Sequence, residues 1–243
     1  MSRLIFEEEY IIVVPSFHEV KPHRHDFYHL FFLEKDGGQE IYVTGSKMLH
    51  TMPPLTECRL FVIIDPTSDL AGYLHEHFLM DGTPERIRAE KPFVFAERSY
   101  LEEKPDEEIR RDVRSWLADV GFLTKRAPWD AVNTSENEDA VEDYRVVRLL
   151  RDIREYRHLE KKVEEIAQEY GLSESRLSHV FKEKTGIALK GYLTIAQLKY
   201  AYRLVLEGKS KTYAALEAGF ASPAHLAYIC KKQMGISISD VLR

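Results

Sequence analysis

A short apolar stripe, a glycine and a second apolar stripe occur in this chain and recur about 48 residues later, and this repeat limits the C-terminal part to stacked short helices. In the first copy Val163, Ile166 and Ala167 share one helical face, and Gly171 permits a tight turn. Ser173 is placed to cap a second helix that turns Leu177, Val180 and Phe181 inward. In the second copy Ala214-Ala215 stand for Ile166-Ala167, Gly219-Phe220 for Gly171-Leu172 and Ser222 for Ser173. Leu226 stands for Leu177, Lys231 for Lys182 and Gly235 for Gly186. Between the copies Leu189–Glu207 reads as one long helix, with Tyr192, Leu193, Ile195, Ala196, Leu198, Ala201, Leu204 and Val205 inward. Gly171, Gly186, Gly208, Gly219 and Gly235 fall at helix ends, so the chain from Tyr144 onward reads as about seven helices.

The outer faces carry the chemistry. The helix after Gly171 exposes Ser175, Arg176, Ser178, His179, Lys182 and Lys184. A helix, a glycine turn and a second helix with a polar, basic outer face is a helix-turn-helix plan: an apolar face holds the second helix while the opposite face enters a major groove about 12 Å wide. Charge agrees with this. The net of −6 hides two unlike parts. Residues 1–144 hold 16 Lys and Arg against 29 Asp and Glu, a net of −13, and residues 145–243 hold 18 against 11, a net of +7. Such an asymmetry points to an acidic module joined to one that binds a polyanion. A single basic residue on a helix is usually only solvated surface; two matched units with net positive charge are not explained that way.

On these residues the last ~95 positions resemble the arabinose-type (AraC/XylS) transcription regulators. The resemblance implies two recognition helices entering successive major grooves of double-stranded DNA. In the first unit it implies base contacts from Ser175, Ser178 and His179 and phosphate contacts from Arg176, Lys182 and Lys184. The second unit departs from the family pattern: Cys230 stands where Phe is usual, Ile238 where Pro is, and Val241 where an aromatic closes the motif. Its groove-facing positions are Ala224, Ala227 and Tyr228, with Lys231 and Lys232 for the backbone, so it is expected to read shape and thymine methyls or only to position the first unit.

The acidic part begins as β structure. Leu4–Phe17, Asp26–Glu34, Gln39–Thr44 and Arg59–Ile64 are β-branched and aromatic, and Gly37-Gly38 reads as a hairpin turn. Helical spacing follows at Leu70, Tyr73, Leu74, His77 and Phe78, then from Pro105-Asp106 to Gly121 with Ile109, Val113, Trp116, Leu117 and Val120 on one stripe and Arg110, Arg111, Arg114 and Asp119 opposite. That stripe suits either core packing or a dimer seam. Residues 127–143 read as an acidic linker.

His23, His25, Phe27, His29, Phe31 and Leu33 alternate, so on a strand they share one face. The spacing resembles the first cupin motif, with His29 in place of its Glu, and the sensor domains attached to arabinose-type regulators. Three readings stand. His23, His25, His29 and His50 suit a transition metal. His23, His25, Phe27, His29, Phe31 and His50 suit a polar effector held against aromatic walls. Or the histidines are structural. His75 and His77 lie on different helix faces and read as solvent-exposed.

The expected architecture is two-domain α+β: a cupin-like β-barrel with appended helices over 1–126, a linker over 127–143, and an all-α domain with two helix-turn-helix units over 144–243. The expected function is a sequence-specific DNA-binding regulator responsive to a small-molecule effector, not an enzyme, with no resident cofactor. The alternatives are an effector-independent regulator whose barrel only dimerises, and a cupin-type metalloenzyme with a helical appendage; the +7 charge and two recognition helices argue against the latter. Expected partners are DNA, the effector, RNA polymerase and a second copy through the Asp106–Val120 helix. The two distant cysteines, the absence of an apolar run of about 18 residues and an acidic N-terminus suit a cytoplasmic protein without a membrane span or secretory leader.

Overall fold

The computed structural model describes residues 2–15, 22–35, 38–123, 138–234 and 238. The chain divides into two compact units, Met1–Lys125 and Arg126–Ile238.

The first unit is an antiparallel sheet backed by helices. Its strands are β1 (Arg3–Phe6), β2 (Tyr10–Val14), β3 (Tyr28–Lys35), β4 (Gly38–Thr44), β5 (Cys58–Ile64) and β6 (Glu85–Arg88), in the order β1-β2-β5-β3-β4-β6. The run Leu4–Phe17 is therefore not one strand. Glu7 N–H donates to Tyr10 O at 2.9 Å, and the three glutamates turn the chain so that Ile5 pairs with Ile12. β3 and β4 form the expected hairpin, Leu30 opposite Val43 and Phe31 opposite Tyr42; its turn at 36–37 lies outside the described residues. Among the described residues the pairing runs from β1 to β6 as a sheet, without a β1–β6 pair.

Both faces of the sheet are dry along the central strands β2, β5 and β3, whereas β6 at the edge is largely exposed. Neighbours Phe31 and Phe32 point to opposite sides and each is fully buried. This explains why the strands read as continuous apolar runs rather than alternating ones. On one face Ile5, Ile12, Leu30, Phe32, Ile41 and Val62 pack under α1 (Asp69–Phe78) and α3 (Asp106–Asp119), with α2 (Arg98–Glu103) between them in sequence. Ser68 caps α1, its Oγ accepting from Ala71 N–H at 3.1 Å. Arg3 ties β1 to the α2–α3 corner, donating to Leu101 O at 2.8 Å and pairing with Asp106.

The stripe on α3 is core. Ile109, Val113, Trp116 and Leu117 are buried in the unit's own interior, and Trp116 Nε1–H donates to Lys91 O at 3.2 Å. A homodimer through the Asp106–Val120 helix would thus have only the charged outer face available, because the apolar face is already spent on the sheet.

The second unit is helical: α4 (Glu138–Arg154), α5 (Val163–Glu169), α6 (Glu174–Thr185), α7 (Leu189–Leu206), α8 (Lys211–Glu217) and α9 (Pro223–Met234). These are six helices among the described residues, where the sequence predicts about seven. α4 already begins at Glu138, inside the segment expected as linker, and 124–137 lie outside the described residues. All eight residues expected inward on α7 are buried, and Tyr202 joins them.

The two glycine turns have the same backbone, φ 65° at Gly171 and 83° at Gly219, but different surroundings. A Cβ on Gly171 would meet nothing within 4 Å, whereas one on Gly219 would lie 2.5 Å from the Leu159 carbonyl oxygen. Gln197 of α7 donates to that same oxygen at 2.6 Å. Gly171→Ala is expected to cost about 1–2 kcal/mol from left-handed strain alone. Gly219→Ala is expected to cost about 3 kcal/mol or more, because overpacking adds to the strain. Urea melts of the two variants check this; equal losses would mean the second turn does not press on Leu159.

Candidate functional site

Each of α6 and α9 is held by a cap and an apolar face. Ser173 Oγ accepts from Arg176 N–H at 3.2 Å, and Ser222 Oγ accepts from His225 N–H at 3.1 Å, so both expected cap serines sit at helix starts. Leu177, Val180 and Phe181 are buried beneath α6, and Leu226 and Cys230 beneath α9. Cys230 therefore fills a core position, where burial pushes its thiol up to about 11.

The outer faces hold the expected residues. On α6, Ser175, Arg176, His179, Lys182 and Lys184 are exposed and Ser178 is half-buried. His179 Nε2 lies 3.7 Å from Glu183 one turn on, and Lys182 and Lys184 occupy the last turn, where positive charge complements the helix dipole. On α9, Ala224, Tyr228, Lys231 and Lys232 are exposed and Ala227 is half-buried. The Lys232 ammonium stands 5.9 Å from the Tyr228 ring centre, although the ring itself is 62% exposed. Ile238 is buried, and Val241 lies outside the described residues.

A network that sequence spacing did not single out fixes α4 against α5. Asp152, near the end of α4, is buried and accepts hydrogen bonds from Tyr170 Oη and from Arg157. Burial opposes its charge, but Tyr170, Arg157 and His158 together outweigh burial and hold the carboxyl below its usual range. The backbone marks the place: Tyr156 and His158 both have positive φ, 62° and 66°, although neither is glycine.

In the first unit four imidazoles gather. β3 begins only at Tyr28, so His23–Phe27 is not strand as expected, yet the alternating side chains still converge. The His25 ring centre is 5.1 Å from His23, 4.7 Å from His29 and 4.8 Å from His50, and His23 and His50 are 4.6 Å apart. His23 and His50 are joined by backbone hydrogen bonds of 3.0 and 3.2 Å, which bring the Gly45–His50 segment to this cluster. Phe27 and Phe31 are buried beside it, their rings 5.7 Å from His25 and 5.2 Å from His29. Burial, reinforced by His50 and His23, drives His25 down to about 2. His29 is lowered by burial and then by His25, His50 and His23, and His50 is lowered by burial against the opposing Met48 hydrogen bond. His25, His29 and His50 are thus held as neutral imidazoles, offering donors and lone pairs. His75 and His77 are exposed on α1, away from one another's face.

Among the described residues no helix is long and apolar enough to cross a membrane. No curated protein matches the chain. Among solved structures, the chain is similar to the C-terminal domain of AraT, a response regulator from Geobacillus stearothermophilus, at 24% identity over 40% of this chain and 82% of that one, with a TM-score of 0.37. It is also similar to an AraC-type transcriptional regulator from Chromobacterium violaceum at 24% identity over 33% and 74%, TM-score 0.31. ToxT from Vibrio cholerae with bound unsaturated fatty acid is similar at 12% identity over 97% and 95%, TM-score 0.47. A family model, that of a helix-turn-helix domain, matches residues 166–243. The matched segment contains both glycine turns and the Ser173-capped helix α6 with its basic last turn.

Proposed function

We propose that the chain is a sequence-specific transcription regulator in which α6 and α9 are the recognition helices of two helix-turn-helix units. The observation that carries this is the two-sidedness of α6: Leu177, Val180 and Phe181 are buried while Ser175, Arg176, His179, Lys182 and Lys184 face outward. Ser175, Ser178 and His179 read base edges; Arg176, Lys182 and Lys184 hold phosphates. α9 offers Ala224, Ala227 and Tyr228 with Lys231 and Lys232, so it positions the complex more than it reads sequence. Residues 1–126 are the sensor, a cupin-like module whose face around His23, His25, Phe27, His29, Phe31 and His50 takes an effector, and residues 144–243 bind DNA. Control is a two-state coupling: an effector shifts DNA binding only by its difference in affinity for the two states.

The test uses a selected DNA site and two variants. His179→Ala changes which bases are preferred, at about 1–3 kcal/mol for its position. Lys182→Ala weakens every sequence about equally and lowers the salt slope by about 1. The reverse pattern would place a different face of α6 in the groove.

A further inference from the structure

In the first unit two ring nitrogens, His25 Nε2 and His50 Nε2, are shut away from solvent with no hydrogen-bond partner. A buried polar atom left unsatisfied costs about 1–3 kcal/mol, and here two such atoms belong to rings whose centres are 4.8 Å apart. We propose that His23, His25 and His50 form a binding site for a divalent transition-metal ion of the zinc class. Each offers one ring nitrogen, and the three nitrogens lie within 4.8 Å of one another. Tetrahedral coordination at about 2.0–2.1 Å requires nitrogens about 3.4 Å apart. Side-chain rotation closes that gap, because the backbone is already tied: His23 and His50 exchange hydrogen bonds, and Lys47 N–H donates to His25 O at 2.7 Å.

The protonation pattern supports this occupant. His50 Nδ1–H donates to Met48 O at 2.9 Å, which leaves Nε2 as a bare lone pair aimed into the protein. A metal-binding histidine is held in the same way, its second nitrogen donating to a carbonyl. His25 must change. Phe27 N–H donates to its Nδ1 at 3.2 Å, so the neutral ring carries its proton on Nε2. On loading, that long contact is given up, the proton moves to Nδ1 and Nε2 binds the ion. The trio contains no carboxylate, which disfavours calcium and magnesium and suits an imidazole-preferring metal. Half-buried His23 provides the way in from solvent.

Three protein ligands leave a fourth position for water or for a small polar molecule, bordered by His29 at 4.7 Å from His25. The inference thus names a ligand class for the face that the sensor reading assigns to an effector. Metal uptake is measured on the chain alone, so a chain that takes metal but not DNA overturns the regulator reading and leaves this one standing. The test uses the full-length chain without an affinity tag, stripped with chelator and titrated with Co²⁺ while its visible absorption is followed, then with Zn²⁺ in competition. One Co²⁺ per chain is expected, displaced by Zn²⁺. His23→Asn and His50→Asn should each weaken uptake at least ten-fold. His23 is half-buried, so its variant should keep the far-UV spectrum of the parent. His75→Asn with His77→Asn should leave uptake unchanged. No saturable uptake at one per chain, or uptake indifferent to His23→Asn and His50→Asn, overturns the proposal.

Discussion

Raising the salt from about 50 to about 200 mM is expected to lower the affinity of this chain for duplex DNA by about 500-fold. The figure follows from the basic residues on the two outer faces. Arg176, Lys182, Lys184, Lys231 and Lys232 are all exposed there. Each phosphate they neutralise releases condensed counterion, and the logarithm of affinity falls with the logarithm of salt at about 0.9 per phosphate. Five contacts give a slope of about −4.5, and a four-fold rise in salt then costs about 500-fold. The overall charge of −6 would suggest the opposite behaviour for the whole chain, but residues 1–144 carry −13, while residues 145–243, which contain α6 and α9, carry +7. On the proposed function that acidic charge should repel DNA and weaken nonspecific binding, so that the outer faces of α6 and α9 supply the contact. Anisotropy titrations of a labelled duplex at four or five salt concentrations provide the slope. A flat dependence would remove the electrostatic basis of the DNA reading, and a slope near −3 would mean that α9 contributes no phosphate contacts.

What the sequence could and could not disclose follows from the range of the interactions. The paired turns were legible because their determinants are local: a glycine with positive φ, a cap serine two or three residues on, and a buried leucine four residues after the cap, as at Gly171, Ser173 and Leu177. The alternating histidine face was legible for the same reason, and it survives although His23–Phe27 is not regular strand. The β1–β2 turn was hidden because no glycine or proline marks it; three glutamates between apolar runs make the break. The Asp152 network was also hidden. Its members Arg157, His158 and Tyr170 follow no helical or strand period, and only the folded chain brings them together. The stripe on α3 is a third kind of case. An apolar helix face has the same sequence whether it meets its own sheet or a second chain, so periodicity alone could not separate core from seam.

That last ambiguity gives a prediction of large effect. Trp116→Glu should unfold the first unit at room temperature. Trp116 is 7% exposed, and its ring centre lies 5.4 Å from Phe32, 6.0 Å from Phe93, 6.2 Å from Phe95 and 6.0 Å from Phe122, mostly edge to face. Removing such a side chain costs about 3–5 kcal/mol. Glutamate adds an unpaired carboxylate in a dry aromatic pocket and orphans the Lys91 carbonyl, which together raise the loss by several kcal/mol more. The sum is comparable with the whole stability of a domain, about 5–15 kcal/mol. Arg114→Glu on the opposite face of α3 is the control. Its 3.5 Å ion pair with Glu7 is 68% exposed on the arginine side, so its loss costs no more than about 1 kcal/mol. Far-UV circular dichroism and gel filtration read both variants. The sheet contribution should vanish in Trp116→Glu and persist in Arg114→Glu. A Trp116→Glu chain that stays folded but elutes as a smaller species would mean that this stripe is shared between two copies, and that the burial of Trp116 by its own sheet is not what holds the unit together.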